Sequence, residues 1–152
     1  MLQHATCVAI DGAGVLLLGP SGAGKSDLAL RLLQSRWHWD GRDVEVRLVA
    51  DDQVLLALDG GRLMASSPPA IAGKLEVRGL GIVQLGAAVL SSVPVRLAVE
   101  LVQDGGIERL PETDRALELM AVRVPLIAIA PFEASAAGKV VLAAIVQCGR
   151  SL

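Results

Sequence analysis

Gly19-Pro20-Ser21-Gly22-Ala23-Gly24-Lys25-Ser26 is the stretch on which the reading of this chain turns. It fits G-x-x-x-x-G-K-[ST], the eight-residue phosphate-binding loop. Ahead of it runs Val15-Leu16-Leu17-Leu18, an apolar run that reads as a buried strand. Behind it runs Asp27-Leu28-Ala29-Leu30-Arg31-Leu32-Leu33, which has helix propensity and a helical apolar stripe. Strand, glycine loop and helix form the context in which this pattern has a mechanism. The glycines let backbone N–H groups wrap phosphate oxygens, and the helix N-terminus adds a favourable dipole. Lys25 is expected on the β- and γ-phosphates of a bound nucleotide, and the Ser26 hydroxyl on Mg²⁺. The alternative, a glycine-rich turn with a stray lysine, does not account for the flanking strand and helix.

The chain has 152 residues, one domain's length and enough to bury a core. It is rich in Val, Leu, Ala and Gly, with no Tyr and one Phe, so the core is expected to be aliphatic. A net charge of −2 gives no electrostatic case for nucleic acid or an anionic membrane. No apolar run approaches a membrane span in length. Met1-Leu2-Gln3-His4 lacks the basic region and apolar stretch of a signal peptide. Cys7 and Cys148 form no metal-ligand spacing, and both are expected to act as small buried hydrophobes. A cytoplasmic enzyme is the class that suits these features.

Along the chain, residues 5–10 and 14–19 read as strands joined by the glycine turn at 11–14. Residues 25–35 read as the helix after the loop, and 37–43 as a polar surface connection. Val46-Arg47-Leu48-Val49-Ala50 reads as a strand ending at Asp51-Asp52. Residues 54–58 and 62–65 flank Asp59-Gly60-Gly61, a hairpin signal. Residues 66–74, with two prolines, read as a mobile loop. Short strand 75–78, strand 93–102, a short helix or turn at 113–120, strand 124–130 and a closing helix at 135–147 complete the reading. The mixture predicts an α/β layer architecture with several antiparallel pairs, because the hairpins are too short to be crossovers.

Two further groups of residues carry chemistry. Asp51 and Asp52 stand at the C-terminal end of a strand, where a phosphate-loop enzyme needs a Mg²⁺-facing or base-forming acid. Adjacent strand residues point to opposite faces, so the two carboxylates are expected to do different jobs unless the backbone turns between them. One would take a proton from an incoming hydroxyl; the other would orient a partner or metal-bound water. In Leu75-Glu76-Val77-Arg78-Gly79-Leu80-Gly81-Ile82, Glu76 and Arg78 share a strand face. Glu76 is a candidate Mg²⁺ ligand, and Arg78 a candidate for phosphate oxygens or for holding Glu76. On physics alone this group also reads as a surface ion pair before a turn.

Taken together, His4-Ala5, the loop at 19–26, Leu48-Val49-Ala50-Asp51-Asp52 and the Glu76-Val77-Arg78-Gly79-Leu80-Gly81 segment resemble the catalytic domain of HPr kinase/phosphorylase. The resemblance runs from His4 to about Val146. It implies a P-loop kinase domain similar to phosphoenolpyruvate carboxykinase, with a mixed sheet, hairpins and flanking helices, over residues 1–152 as a single unit. It implies an ATP- and Mg²⁺-dependent serine kinase acting on an HPr-like phosphocarrier protein, with a homo-oligomer as the candidate assembly. By resemblance, His4 matches an active-site histidine, Lys25 the lysine on transferred phosphate, and Ser26 and Glu76 the Mg²⁺ ligands. Asp51 and Asp52 match an acidic pair in which Asp51 is favoured as the base. Arg109 matches a later arginine of the active site, and Arg78, a catalytic candidate, lies within the segment that resembles the family's signature.

Three departures shape the expectation. The chain starts close to His4, which implies a short form without the family's usual N-terminal domain. The family's arginine- and glycine-rich segment, tied to dephosphorylation, is replaced by Ala130-Pro131-Phe132-Glu133-Ala134-Ser135. The C-terminal extension is short. Kinase chemistry is therefore expected to be complete and phosphorylase activity weak. Two rivals stay open: a kinase of the same fold acting on a small molecule, and a nucleotide-binding sensor without transfer chemistry.

Overall fold

A computed structural model describes residues 1–103 and 106–149. The strands are β1 (Leu2–His4), β2 (Thr6–Ile10), β3 (Ala13–Leu18), β4 (Trp37–Trp39), β5 (Arg42–Val44), β6 (Val46–Ala50), β7 (Gln53–Asp59) and β8 (Arg62–Ser66). They continue as β9 (Lys74–Val77), β10 (Gly81–Gln84), β11 (Ser92–Leu101), β12 (Ala116–Leu119) and β13 (Val122–Ile129). Two helices, α1 (Lys25–Gln34) and α2 (Ala136–Gly149), accompany them.

Nine strands form one mixed sheet in the order β1-β7-β8-β11-β3-β2-β6, with β13 beside β11 and β12 beyond β13. The centre is parallel: β11 pairs with β3 on one edge and with β13 on the other. Its first residues, Ser92 to Pro94, pair instead with β8 in antiparallel sense. One long strand thus joins the parallel centre to the antiparallel hairpin. Gly14 sits where β3 passes that junction. A Cβ there would lie 2.8 Å from both the Pro94 carbonyl oxygen and Val93 Cγ2, so only glycine admits the approach. Segment 88–90 closes the outer edge of β6, since Leu48 N donates to Ala88 O at 2.7 Å and Leu90 N to Leu48 O at 2.8 Å.

Alternation along the central strands divides the core in two. Val8, Ile10, Val15, Leu17, Leu97 and Val99 face α1 and α2 and pack with Leu28, Leu32, Val140 and Ala144. Cys7, Ala9, Leu16, Val95 and Ala98 face the other side and pack with Val54, Leu56 and Leu63 of the β7–β8 hairpin. Period-two strands buried on both faces read as continuous apolar runs, which is how β2 and β3 appear in the sequence. Cys7 is fully buried as expected; the side chain of Cys148 lies outside the described residues.

Three segments differ from the sequence expectation. Residues 37–44 form a small hairpin rather than an irregular connection, turning at Asp40-Gly41 with φ of 50° and 78°. Trp37 roots it, donating Nε1–H to Leu32 O at 2.9 Å. Residues 116–119 are a strand paired with β13, not a helix or turn. Residues 66–74 contain a single 3₁₀ turn at Pro69–Ile71, and this stretch is tied to its neighbours: Leu85 N donates to Gly73 O at 2.7 Å, and Gln84 Nε2 to Ala72 O at 3.3 Å.

Candidate active site

β3 delivers the chain to the glycine loop, and α1 leaves it. Gly24 caps α1 with φ of 98° and no side-chain hydrogen bond, so the N–H groups of the first turn stay free for an anion. The conformation favours glycine, and so does space: a Cβ on Gly24 would stand 3.0 Å from the Phe132 ring. Lys25 is folded back along the loop. Its Nζ donates to Gly19 O at 2.6 Å and to Pro20 O at 3.0 Å. Burial lowers the ammonium's pKa, opposed by the charges of Asp52 and then Asp51. A cation held this way is compact, weakly hydrated and close to two carboxylates.

The acidic pair lies just past β6, and its two carboxylates point to different places because the backbone turns between them. Asp51 follows β6 with its carboxylate buried and fully engaged. Oδ1 accepts from Ser26 Oγ at 2.7 Å and from Thr6 Oγ1 at 2.9 Å, and Oδ2 accepts from the Glu76 backbone N at 3.0 Å. One carboxylate therefore ties together the loop serine, β2 and β9. Asp52 turns the other way because its backbone is left-handed, with φ of 66°. The β1–β7 register sets His4 opposite Gln53, and Ala5 N donates to Asp52 O at 3.2 Å. This brings His4 Nε2 to 3.2 Å from Asp52 Oδ1, with the two side chains 50% and 65% exposed.

A cleft of about 310 Å³ gathers these groups. His4, Lys25, Ser26, Asp52, Glu76 and Arg78 line it together with Ser21, Gly22 and Gly24 of the loop. Glu76 enters the cleft from β9 and Arg78 from the turn just after it, so the shared strand face expected from their spacing is not what brings them together. Arg78 makes no hydrogen bond or ion pair among the described residues. Arg109 is not brought in: it is exposed in the connection between β11 and β12 and does not line the cleft.

The sequence reading did not foresee Thr6, nor Phe132 as a side chain lining the cleft. Thr6 is the only hydroxyl in the fully buried β2, a polar residue needing a partner, and Asp51 is that partner. Phe132, the chain's one phenylalanine, follows β13 and lines the cleft beside the loop. No group of three or more His, Cys, Asp or Glu side chains poised for a metal occurs among the described residues. The donors that face the loop, Ser26 Oγ and the carboxylates of Asp51 and Glu76, are hard oxygens. Mg²⁺ is bound through one or two carboxylates plus phosphates and water, so the set fits that ion.

A glycine loop set between a central parallel strand and a helix, with its serine held by a buried strand-end carboxylate, defines a P-loop domain of mixed-sheet type. The chain belongs to the HPr Serine kinase C-terminal domain family, whose model matches residues 1–150. It is 38% identical over 133 residues to HPr kinase/phosphorylase of Chlorobium phaeobacteroides, covering 82% of this chain and 37% of that protein. The corresponding enzyme of Cupriavidus necator is 36% identical over 135 residues, covering 84% of this chain and 39% of that protein. The chain thus spans under two fifths of the length of these curated relatives. Among solved structures, the Hpr(Ser) kinase/phosphatase from Coxiella burnetii superposes with a TM-score of 0.76 at 26% identity, covering 99% of this chain and 91% of that one. No helix among the described residues is long and apolar enough to cross a membrane.

Proposed function

We propose that this chain transfers the terminal phosphate of ATP, with Mg²⁺, to a serine hydroxyl of an HPr-like phosphocarrier protein. The observation that carries the reading is the division of labour in the acidic pair: Asp51 holds the loop serine from within, and Asp52 stands open at the mouth. The sequence favours Asp51 as the base. The geometry favours Asp52, because every hydrogen bond that Asp51 accepts comes from inside the protein and its carboxylate is buried.

In this reading the free N–H groups of the loop and Lys25 hold the β- and γ-phosphates, with Lys25 exchanging the Gly19 and Pro20 carbonyls for phosphate oxygens. Ser26 and Glu76 would hold Mg²⁺, with Asp51 holding the Ser26 hydroxyl in place. When bound, Mg²⁺ would supply charge neutralisation, and the proton would still need a protein base. Asp52 takes the proton of the incoming serine hydroxyl, and His4 orients the Asp52 carboxylate. Arg78, which lines the same cleft and has no ion-pair partner among the described residues, faces the charge that builds up during transfer. The exposure of Asp52 and His4 suits a hydroxyl carried on a protein surface better than an enclosed small molecule. A pure sensor has no use for an exposed Asp–His pair facing a phosphate loop. With ATP as the donor, the cytoplasm is the compartment that goes with this reading.

The test is transfer of labelled phosphate from ATP to a purified HPr-like protein. Wild type should label its serine, and Asp52→Asn should not. Failure of wild type with protein carriers, together with turnover of a small hydroxyl compound, would favour the small-molecule kinase.

A further inference from the structure

Phe132 is 65% exposed, although the chain has only this phenylalanine and two tryptophans as aromatic side chains for packing. Exposed aromatic surface of that kind needs a reason. The side chain does not stand on a free loop. Arg31 on α1 donates Nη2 to the Pro131 carbonyl and is itself paired with Asp27 at 3.0 Å. Lys139 on α2 holds the following residue, Glu133, at 2.9 Å. Residues 131–133 are thus fixed to both helices, with the ring against Gly24, the last loop residue before α1. The cleft is otherwise polar; its larger apolar lining consists of Phe132, Leu30 and Val77.

We propose that Phe132 is the platform on which the flat base of the nucleotide lies. The inference rests on the nucleotide reading of the loop and goes beyond it by placing the end of the nucleotide remote from transfer. Polyphosphate needs N–H groups and Lys25 and gains nothing from an aromatic ring. A purine offers a flat π-face, and stacking on an aromatic ring is insensitive to the identity of the base. The preference is therefore for a nucleoside triphosphate over bare polyphosphate, with little discrimination between adenine and guanine.

Calorimetry on the full chain with Mg²⁺ separates the parts. Phe132→Ala should weaken ATP binding about tenfold or more and leave tripolyphosphate binding as in wild type. Phe132→Trp should restore ATP affinity, with an indole emission change on adding ATP that tripolyphosphate does not produce. Equal loss for ATP and tripolyphosphate in Phe132→Ala would overturn the proposal, since the ring would then act only by shaping Gly24. Unchanged ATP affinity would overturn it too. If wild type binds neither ligand, the nucleotide reading itself fails, and this inference with it.

Discussion

Ser26 Oγ donates to Asp51 Oδ1 over 2.7 Å, linking the first turn of α1 to the end of β6. The bond fixes the loop's hydroxyl before any ligand arrives. It also makes Asp51 a structural centre, because Thr6 and the Glu76 N–H converge on the same carboxylate. Removing that charge disturbs three elements together.

Asp51→Asn should therefore both destabilise the fold and weaken Mg²⁺-dependent nucleotide binding. An amide keeps one acceptor oxygen but puts a donor in place of the other and removes the charge, and hydrogen bonds to a charged group are worth about 1.5–3 kcal/mol each. A loss of about 3 kcal/mol in denaturant unfolding is expected. A variant as stable as wild type that still binds nucleotide would show that Asp51 does not bind the elements together.

Asp52→Asn should behave in the opposite way. Its side chain is exposed and its one hydrogen-bond contact is with His4, so stability and nucleotide affinity should hold. Transfer should fall by about a hundred- to ten-thousandfold, the usual contribution of a positioned base. Comparing transfer rates and calorimetric affinities of the two asparagine variants assigns the roles. Full transfer by Asp52→Asn would return the base to Asp51.

Lys25 gives a pH signature. Burial lowers its folded pKa below the ordinary lysine value, so the unfolded chain binds more protons between the two values. Stability must then rise with pH through that window, as the cost of keeping the buried charge is relieved. Lys25→Met lacks this component. The difference in unfolding free energy, wild type minus variant, should grow as pH climbs toward the lysine range. A flat difference would mean that the ammonium is not desolvated.

Cys7 should be chemically silent. Burial pushes its thiol up to about 12, so thiolate is scarce at pH 8. In a Cys148→Ser background, iodoacetamide should not label the folded chain and should label it once denatured. Rapid labelling under native conditions would mean that β2 opens.

The phosphate loop, α1, β2, β3, β6 and the β7–β8 hairpin were legible because local signals agreed with the fold: apolar runs, a glycine loop, and a turn rich in glycine. The missed elements lacked such agreement. β12 meets β13 through Met120 and Ala121, both with positive φ (49° and 63°), where a two-residue hairpin ordinarily carries Asn or Gly. Nothing in those residue types announces a turn. The Asp40-Gly41 turn was visible, but the flanking Trp-His-Trp is not an alternating strand pattern. His4 became legible only through resemblance, since its place beside Asp52 depends on pairing with a strand some fifty residues away. Which aspartate faces the cleft depends on a left-handed residue, and a strand-period argument does not foresee that.

Gly14→Ala should be costly despite its position in a strand. The new methyl would meet backbone oxygen and a Val93 methyl at 2.8 Å, at the point where β11 passes from β8 to β3. Overpacking of this kind costs about 1–3 kcal/mol. Gly14 lies outside the left-handed region, so a loss seen in denaturant midpoints reports the close contact and not backbone strain. A Gly14→Ala variant as stable as wild type would remove the case for close approach.

The last expectation concerns the reverse reaction, in which inorganic phosphate attacks the phosphoserine of the carrier. An attacking anion needs additional positive charge or a nest of N–H groups. Residues 130–135 offer neither an arginine nor a lysine, and Phe132 places a hydrocarbon ring beside the loop. Two cations elsewhere are already committed. Lys139 pairs with Glu133 at 2.9 Å, and Arg123 donates Nη2 to Asp114 O at 2.6 Å. That leaves Arg78 as the arginine lining the cleft, and the proposed forward reaction would use it. Phosphorolysis should therefore be slow relative to phosphorylation. Incubating serine-phosphorylated carrier with the enzyme, Mg²⁺ and millimolar phosphate should yield little pyrophosphate. Release near the forward rate would show that Arg78 serves both directions, and its loss in Arg78→Ala would confirm that correction.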